Sequence, residues 1–190
     1  MNTYGSHIMV TGFPTATVAP RLVEHVLAGD GESCLYCIVP ENFLPTAQAW
    51  LARRKASERK RVTLLKGDAA SVDLGLSGSE YNELSQHITH IHHCAAVTYG
   101  GVDPRRAEAV NVGATREVLE LAETCVHIQR VVHWSSTWAT GAIHGAVAED
   151  DLREPEGGPI HGTRYRAERL IREASATLPV TILRPSMIVG

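Results

Sequence analysis

Six short apolar, β-branched runs punctuate the chain, at Ile8–Thr11, Cys34–Val39, Val62–Leu65, Ile88–Cys94, Val131–Ser135 and Val180–Leu183. Segments with helical periodicity separate most of them. The runs do not alternate apolar with polar residues, which is the pattern of strands buried on both faces. Parallel neighbours need crossovers, and crossovers are right-handed. The order therefore predicts an α/β fold, a doubly wound parallel sheet of about six strands. With 190 residues the chain holds one such domain with a sizeable core.

The helical segments carry their own punctuation. The first has Pro20 in its opening turn and Gly29 after its last apolar residue, and the second contains Trp50 and Leu51. Ser77-Gly78-Ser79-Glu80 reads as a capping box for the third. The longest starts at Asp103-Pro104 and carries Ala107, Val110, Ala114, Val118, Leu121 and Cys125 as one apolar stripe. The last is expected over Thr163 to Thr177.

Charge and cysteine usage exclude several functions. A net charge of -3 gives no reason to expect a nucleic-acid or membrane partner, and the basic run Arg53 to Arg61 reads as a solvated helix end. No apolar run is long enough to span a bilayer, and no signal-peptide pattern is present. Cys34 and Cys37 fall on one strand with opposite facing, so they read as thiols in a reducing cytoplasm and not as a redox or zinc pair. His90 and His92 share a strand face while His93 points the other way, so no metal site is expected.

The first strand runs into Thr11-Gly12, where a dinucleotide site would need small residues to let the backbone touch a pyrophosphate. Phe13, Pro14, Thr15, Ala16, Thr17, Val18 and Ala19 follow instead. The middle of the chain is more specific. "GDAASVDLGLS" (Gly67 to Ser77), "ITHIHHCAAVTY" (Ile88 to Tyr99), "NVGATREVLELA" (Asn111 to Ala122), "VVHWSSTWATG" (Val131 to Gly141) and "ILRPSMIVG" (Ile182 to Gly190) succeed one another in register. Together they resemble the extended short-chain dehydrogenase/reductase superfamily, nearest the thioester reductase and fatty acyl-CoA reductase branch. The resemblance implies a single Rossmann-like NAD(P)-binding-type domain over residues 1–190. It ends where relatives continue into a substrate-binding segment, so most of that segment is expected to be absent.

Residue by residue, the resemblance implies cofactor contacts from Thr11, Gly12, Thr15, Asp68, Ala95, Ala96 and Asn111. Asp68 matches the position that bonds the adenine amino group, and Ala95 and Ala96 match small residues against which the cofactor lies. Ser136 matches the residue that hydrogen-bonds a substrate carbonyl or hydroxyl. Each has a simpler alternative: a turn cap for Asp68, packing for the alanines, backbone satisfaction for Ser136.

The departures concern the chemistry. The superfamily uses a tyrosine as proton donor and a lysine four residues later that lowers its pKa. In "PIHGTRYRAERL" (Pro159 to Leu170), Ile160 falls on the tyrosine and Arg164 on the lysine. Isoleucine moves no proton, and arginine essentially never releases one. Tyr165 with Arg169 keeps the spacing but would face roughly 140° away on the helix. His161 is the remaining acid beside the vacated position, given a shift of the loop around Gly158, Pro159 and Gly162. Thr15 and a residue near Val18, with a spacer one residue longer, stand where the branch has glycine, and a β-branched residue would be strained at Thr15 if that position needs a positive φ. Pro40 stands where NADP-using relatives place an arginine.

Two functions stay open at this point. One is a degenerate Rossmann module without Tyr/Lys redox catalysis, binding a partner protein, a carrier or synthase domain, or a nucleotide; weak or absent binding of NAD or NADP goes with it. The other is an NAD(P)-dependent oxidoreductase acting on a carrier-bound acyl thioester or a small carbonyl compound. The residues favour the first, the resemblance the second. Homodimer formation through the two long helices is the mode of self-association that the resemblance implies.

Overall fold

The computed structural model describes residues 5–29, 31–140, 145–154, 158–186 and 188. Six strands form one parallel sheet: β1 (His7–Thr11), β2 (Cys34–Val39), β3 (Val62–Lys66), β4 (His90–His93), β5 (Arg130–Trp134) and β6 (Val180–Leu183). Their spatial order is β3-β2-β1-β4-β5-β6. The chain thus builds outward from β1 in one direction, returns across the sheet, and builds outward from β4 in the other. The switch lies between β1 and β4, where open α/β sheets bind ligands at the strands' carboxyl ends. The expected doubly wound architecture is the observed one.

Two-residue alternation along the strands divides the core. Ile8, Val10, Leu35, Cys37 and Val39 face α1 (Val18–Ala28) and α2 (Leu44–Ala52), meeting Ala19, Val23, Leu27 and Ala47. Met9, Ile38, Ile91 and Val131 face the other way, onto α4 (Gly78–His87), α6 (Ala114–Thr124) and α7 (Pro159–Ala174). Each fully buried large aliphatic side chain contributes roughly 1.5–3 kcal/mol. Cys34 and Cys37 lie on β2 as free thiols, as the strand reading required.

Local signals hold at several ends. Ser77 caps α4: its Oγ accepts from the Glu80 N–H at 3.4 Å, and the Glu80 carboxylate accepts from the Ser77 N–H at 2.9 Å. Asp103 caps α5 (Pro104–Ala107) by accepting from the Arg105 N–H at 2.7 Å. The basic run forms a single turn, α3 (Ala56–Arg59), and Arg54 before it lies over the Trp50 ring while pairing with Glu24.

Three expectations need correction. β4 covers only His90–His93, because Ile88 ends α4 and Thr89 is spent on β1, its hydroxyl donating to the His7 carbonyl. The helix from Asp103 is not uniform: between α5 and α6 it widens into a π-helical turn over Glu108–Gly113. The last helix is Pro159–Ala174 and not Thr163–Thr177. Pro159 starts it at a position where no N–H is needed, so Ile160, His161 and Gly162 are helical and the loop shift considered for His161 does not occur.

Candidate functional site

The first strand ends in a turn that only glycine fits. Gly12 has φ +84°, and a Cβ there would lie 2.8 Å from the Ala95 nitrogen and 2.9 Å from the Cys94 carbonyl carbon. The end of β1 and the chain just after β4 therefore lie close enough at Gly12 to leave no room for a side chain. Its carbonyl accepts from the N–H groups of Thr15 (3.1 Å) and Ala16 (2.8 Å). Among the described residues only Asp73 and Leu74 have positive φ without being glycine, so the strain considered for Thr15 does not arise. Thr15 and Thr17 are exposed at the entrance to α1, while Phe13 is buried edge-on against Trp50, with ring centroids 5.0 Å apart.

A chain of hydrogen bonds runs beneath this turn. The Ala95 N–H donates to Thr11 Oγ1 (3.2 Å), which lies 2.8 Å from His93 Nδ1; His93 Nε2 lies 3.1 Å from Thr115 Oγ1, which donates to the Asn111 carbonyl at 2.7 Å. Only one direction satisfies every donor: Thr11 donates to Nδ1, and Nε2–H donates to Thr115. His93 is thus neutral, and burial, reinforced by the Arg164 charge, brings its pKa down to about 3. The Asn111 side chain is also occupied. It brackets the Val97 backbone, accepting from N–H at 2.8 Å and donating to C=O at 3.1 Å, and it donates to Thr163 Oγ1 at 2.9 Å. Asn111 joins the β4 loop to α7, and its amide is turned inward.

At the far side, the ends of β2 and β3 enclose a cleft of about 520 Å³ lined by Pro40, Glu41, Asn42, Lys66, Gly67 and Asp68. The Lys66 ammonium donates to Glu41 Oε1 at 2.7 Å. Asp68 is exposed and accepts from the Ala70 N–H at 2.9 Å, the turn-capping alternative. The floor is rigid. Asp73, Leu74 and Gly75 all take positive φ, and the Leu74 carbonyl accepts from the Asp68 N–H at 2.8 Å. A Cβ at Gly67 would meet that carbonyl oxygen at 2.5 Å.

The catalytic end differs from the resemblance. Ile160 is buried against Val97, Val102 and Ala107. Arg164 is only 5% exposed and points inward, donating to the Trp134 carbonyl at 3.1 Å. Burial brings its pKa down to about 10, countered by the Glu168 charge. Arg164 Nε and both ring nitrogens of the buried His133 lack partners. Burial, the neighbouring His93 and the Arg164 charge hold His133 well below its ordinary value. Tyr165 and Arg169 lie on other faces of α7, where exposed Arg169 pairs with Glu173 at 3.4 Å. His161 stacks on the half-exposed Trp138, rings parallel with centroids 5.4 Å apart.

Sequence reasoning missed a buried carboxylate one turn beyond Arg164. Glu168 is fully buried; it accepts from Ser135 Oγ at 2.7 Å and from the guanidiniums of Arg172 and Arg184. Burial opposes its ionisation, but these bonds and the two charges outweigh it and hold the carboxyl below its usual value. The same arginines grip the segment before α7: Arg172 donates to the carbonyls of Asp150 (2.9 Å) and Glu149 (2.8 Å), and Arg184 to that of Asp151 (2.8 Å). The signal in the sequence was the adjacency of Ala167-Glu168 and the arginine of "LRPS". Ser136, half-buried, follows this anchor at the end of β5. Among the described residues no group of three His, Cys, Asp or Glu is placed to hold a metal ion.

An adenine nucleotide of the dinucleotide kind fits this arrangement unevenly. The β2–β3 ends leave an open cleft beside the exposed Asp68, and Gly12 keeps the tight turn that precedes a phosphate-binding helix end. Among the described residues, Ile160 and Arg164 stand on α7 where the resemblance puts the tyrosine and lysine, and neither side chain faces outward.

The strand order and the glycine turn define an α/β domain of the dinucleotide-binding class. The NAD-binding family model described as "Male sterility protein" matches residues 18–190, and the chain belongs to that family. Its likeness to the fatty acyl-CoA reductase and thioester reductase branch of the extended short-chain dehydrogenase/reductases is borne out by individual relatives. It is 26% identical over 158 residues to the fatty acyl-CoA reductase wat of Drosophila melanogaster, covering 69% of this chain and 31% of that protein. It is 27% identical over 184 residues to a hybrid PKS-NRPS synthetase of Pyrenochaetopsis, covering 94% of this chain and 4% of the synthetase. The solved terminal R domain of the myxalamid PKS-NRPS pathway superposes with a TM-score of 0.85 at 28% identity, over 100% of this chain and 50% of that one. The chain therefore spans half or less of the length of these proteins. No helix among the described residues is long and apolar enough to cross a membrane.

Proposed function

We propose that this chain is a Rossmann module that does not perform Tyr/Lys hydride chemistry and acts as a binding or interaction domain, in the company of carrier or synthase domains. The observation that carries this reading is the state of α7. Ile160 is packed into an apolar cluster where the proton donor would stand, and Arg164 is buried with its guanidinium on the Trp134 carbonyl. The relatives with synthetase context supply the kind of partner. NAD or NADP is held weakly, through the adenosine end. The test is a hydride-transfer assay of the whole chain with NADH and NADPH and a short acyl thioester, beside the double variant Ile160→Tyr, Arg164→Lys. The expected result is no turnover in the natural sequence. Thioester-dependent cofactor oxidation by the natural sequence overturns the proposal.

A second reading, an NAD(P)-dependent reductase of carrier-bound acyl thioesters, is favoured by the family and by one specific contact. His161 lies beside Ile160 and is held face to face with Trp138, so among the described residues it is a titratable ring fixed next to the vacated position. Under this reading the His161→Phe variant abolishes turnover while leaving the fold intact.

A further inference from the structure

We propose that the single turn α3 and its flanks, Arg53 to Arg61, form a docking surface for an acidic peptide segment of a partner protein. The proposal rests on the interaction-domain reading above and gives that reading a surface. Six of the chain's 18 lysines and arginines fall within these nine positions, against one of its 21 aspartates and glutamates. Positive charge is therefore gathered at one place on a chain whose net charge is -3. Arg53, Lys55, Arg59 and Lys60 are exposed, and none of the four has a carboxylate partner among the described residues. The one carboxylate of the run, Glu58, is spent on the Lys55 backbone, accepting from its N–H at 3.1 Å. Ala52, Ala56 and Ser57 beside the cations are small and exposed, so a partner backbone can come close.

By sequence alone the run reads as a solvated helix end, but in the fold its backbone is held in place. Arg61 donates to the carbonyls of Leu27 in α1 and of Ser33 before β2. Arg54 pairs with Glu24 of α1 and lies 4.1 Å from the centroid of the Trp50 ring of α2. Within the run, the Arg59 N–H donates to the Lys55 carbonyl and its guanidinium to the Arg54 carbonyl, each at 3.0 Å. The cations thus stand on a fixed backbone, and a partner that meets them orders little more than side chains. The turn leads into β3, at the amino ends of the strands. Ligands of such sheets bind at the carboxyl ends, so a segment docked here leaves that end open. The surroundings favour a peptide over other polyanions. Trp50 is covered by Arg54 and packed against Phe13, so it is no open platform for nucleic-acid bases. The exposed apolar side chains of residues 52–61 are two alanines, too little to enter a membrane surface.

The test follows backbone amide resonances of the full chain during titration with a capped hexaglutamate peptide, with hexaglutamine as the control. The expected result is shifts centred on Arg53 to Arg61 with hexaglutamate alone, and binding about tenfold weaker at about 200 mM salt than at about 20 mM. The double variant Arg53→Glu, Lys60→Glu should bind at least about tenfold more weakly, because like charges then face the peptide. Arg105→Glu, Arg106→Glu on α5 should bind as the parent does. All four positions are exposed, and circular dichroism checks that both variants keep the fold. Equal weakening by the two variants, shifts centred elsewhere, shifts with hexaglutamine, or none at millimolar hexaglutamate overturns the proposal. So does tighter binding of an oligothymidylate of equal charge, or capture of the chain by phosphatidylcholine–phosphatidylserine vesicles that the Arg53→Glu, Lys60→Glu variant loses. Thioester-dependent turnover by the natural sequence overturns the interaction-domain reading, whereas failure of hexaglutamate to bind while turnover is absent overturns the docking surface alone.

Discussion

Replacing Gly12 by alanine isolates the close approach at the centre of the sheet. At φ +84° an L-residue costs about 1–2 kcal/mol that glycine does not. The added Cβ also falls 2.8 Å and 2.9 Å from backbone atoms of Ala95 and Cys94, so β1 and β4 must separate, a form of overpacking that costs about 1–3 kcal/mol. Together these give a loss of about 2–5 kcal/mol, which for a chain of this length lowers the melting temperature by about 10 °C. Gly78→Ala is the matched control. Gly78 opens α4, and a Cβ there meets nothing within 4 Å; the substitution should be neutral or stabilising by up to about 1 kcal/mol. Thermal melts and urea titrations of both variants, followed by far-ultraviolet circular dichroism, decide the matter. If Gly12→Ala melts within about 2 °C of the parent, or Gly78→Ala falls as far as Gly12→Ala does, the argument from backbone contact is wrong.

Glu168→Gln removes the charge that Arg172 and Arg184 share, and breaking a buried ion cluster from one side should cost about 3 kcal/mol in urea unfolding; a loss below about 0.5 kcal/mol would show the cluster to be idle. Phe13→Ala empties a fully buried site against Trp50 and should cost about 3–5 kcal/mol, with a change in tryptophan emission. Acid should destabilise the fold early. His92 is brought down to about 4 by burial and the His90 charge, His93 to about 3, and His133 well below its normal value, so below pH 6.5 the unfolded chain binds protons that the folded chain refuses. Stability from these groups is complete above the unfolded pKa and falls as pH drops toward the folded values, by about 1.2 kcal/mol each between pH 7 and 5.5. Urea midpoints that stay flat over that interval would contradict the buried neutral histidines.

Much of the scaffold was legible because its signals are local. Unalternating runs gave the strands, Pro20, Gly29 and Ser77 through Glu80 gave helix ends, and β1 entering Gly12 marked the switch point. The last helix was misjudged because Gly158, Pro159 and Gly162 suggest a loop when read singly, whereas the fixed φ of proline suits a first turn. The interior of the site was not legible. Whether Arg164 faces a ligand or the Trp134 carbonyl, and whether Ser135 or Ser136 meets Glu168, are decided by contacts between residues some thirty positions apart. The same holds for Glu41, which looks like an ordinary surface acid until β3 sets Lys66 against it.

The π-helical turn at Glu108–Gly113 has a consequence for how this domain tolerates changes in length. A wide turn holds one residue more than the α-helix it interrupts, in the manner of a vernier slipped by one division. Deleting a residue there would let a continuous α-helix form, with every backbone bond made, and would cost little by helical propensity alone. Yet the two halves of the helix would be turned about 100° against each other. The Asn111 amide, which lies between the two halves, would then turn away from Val97 and Thr163, uncoupling the β4 loop from α7. Natural insertions and deletions should therefore be found in the surface connections around this helix and not within it, and a one-residue deletion at 109 or 110 should yield a folded helix joined to a misassembled site.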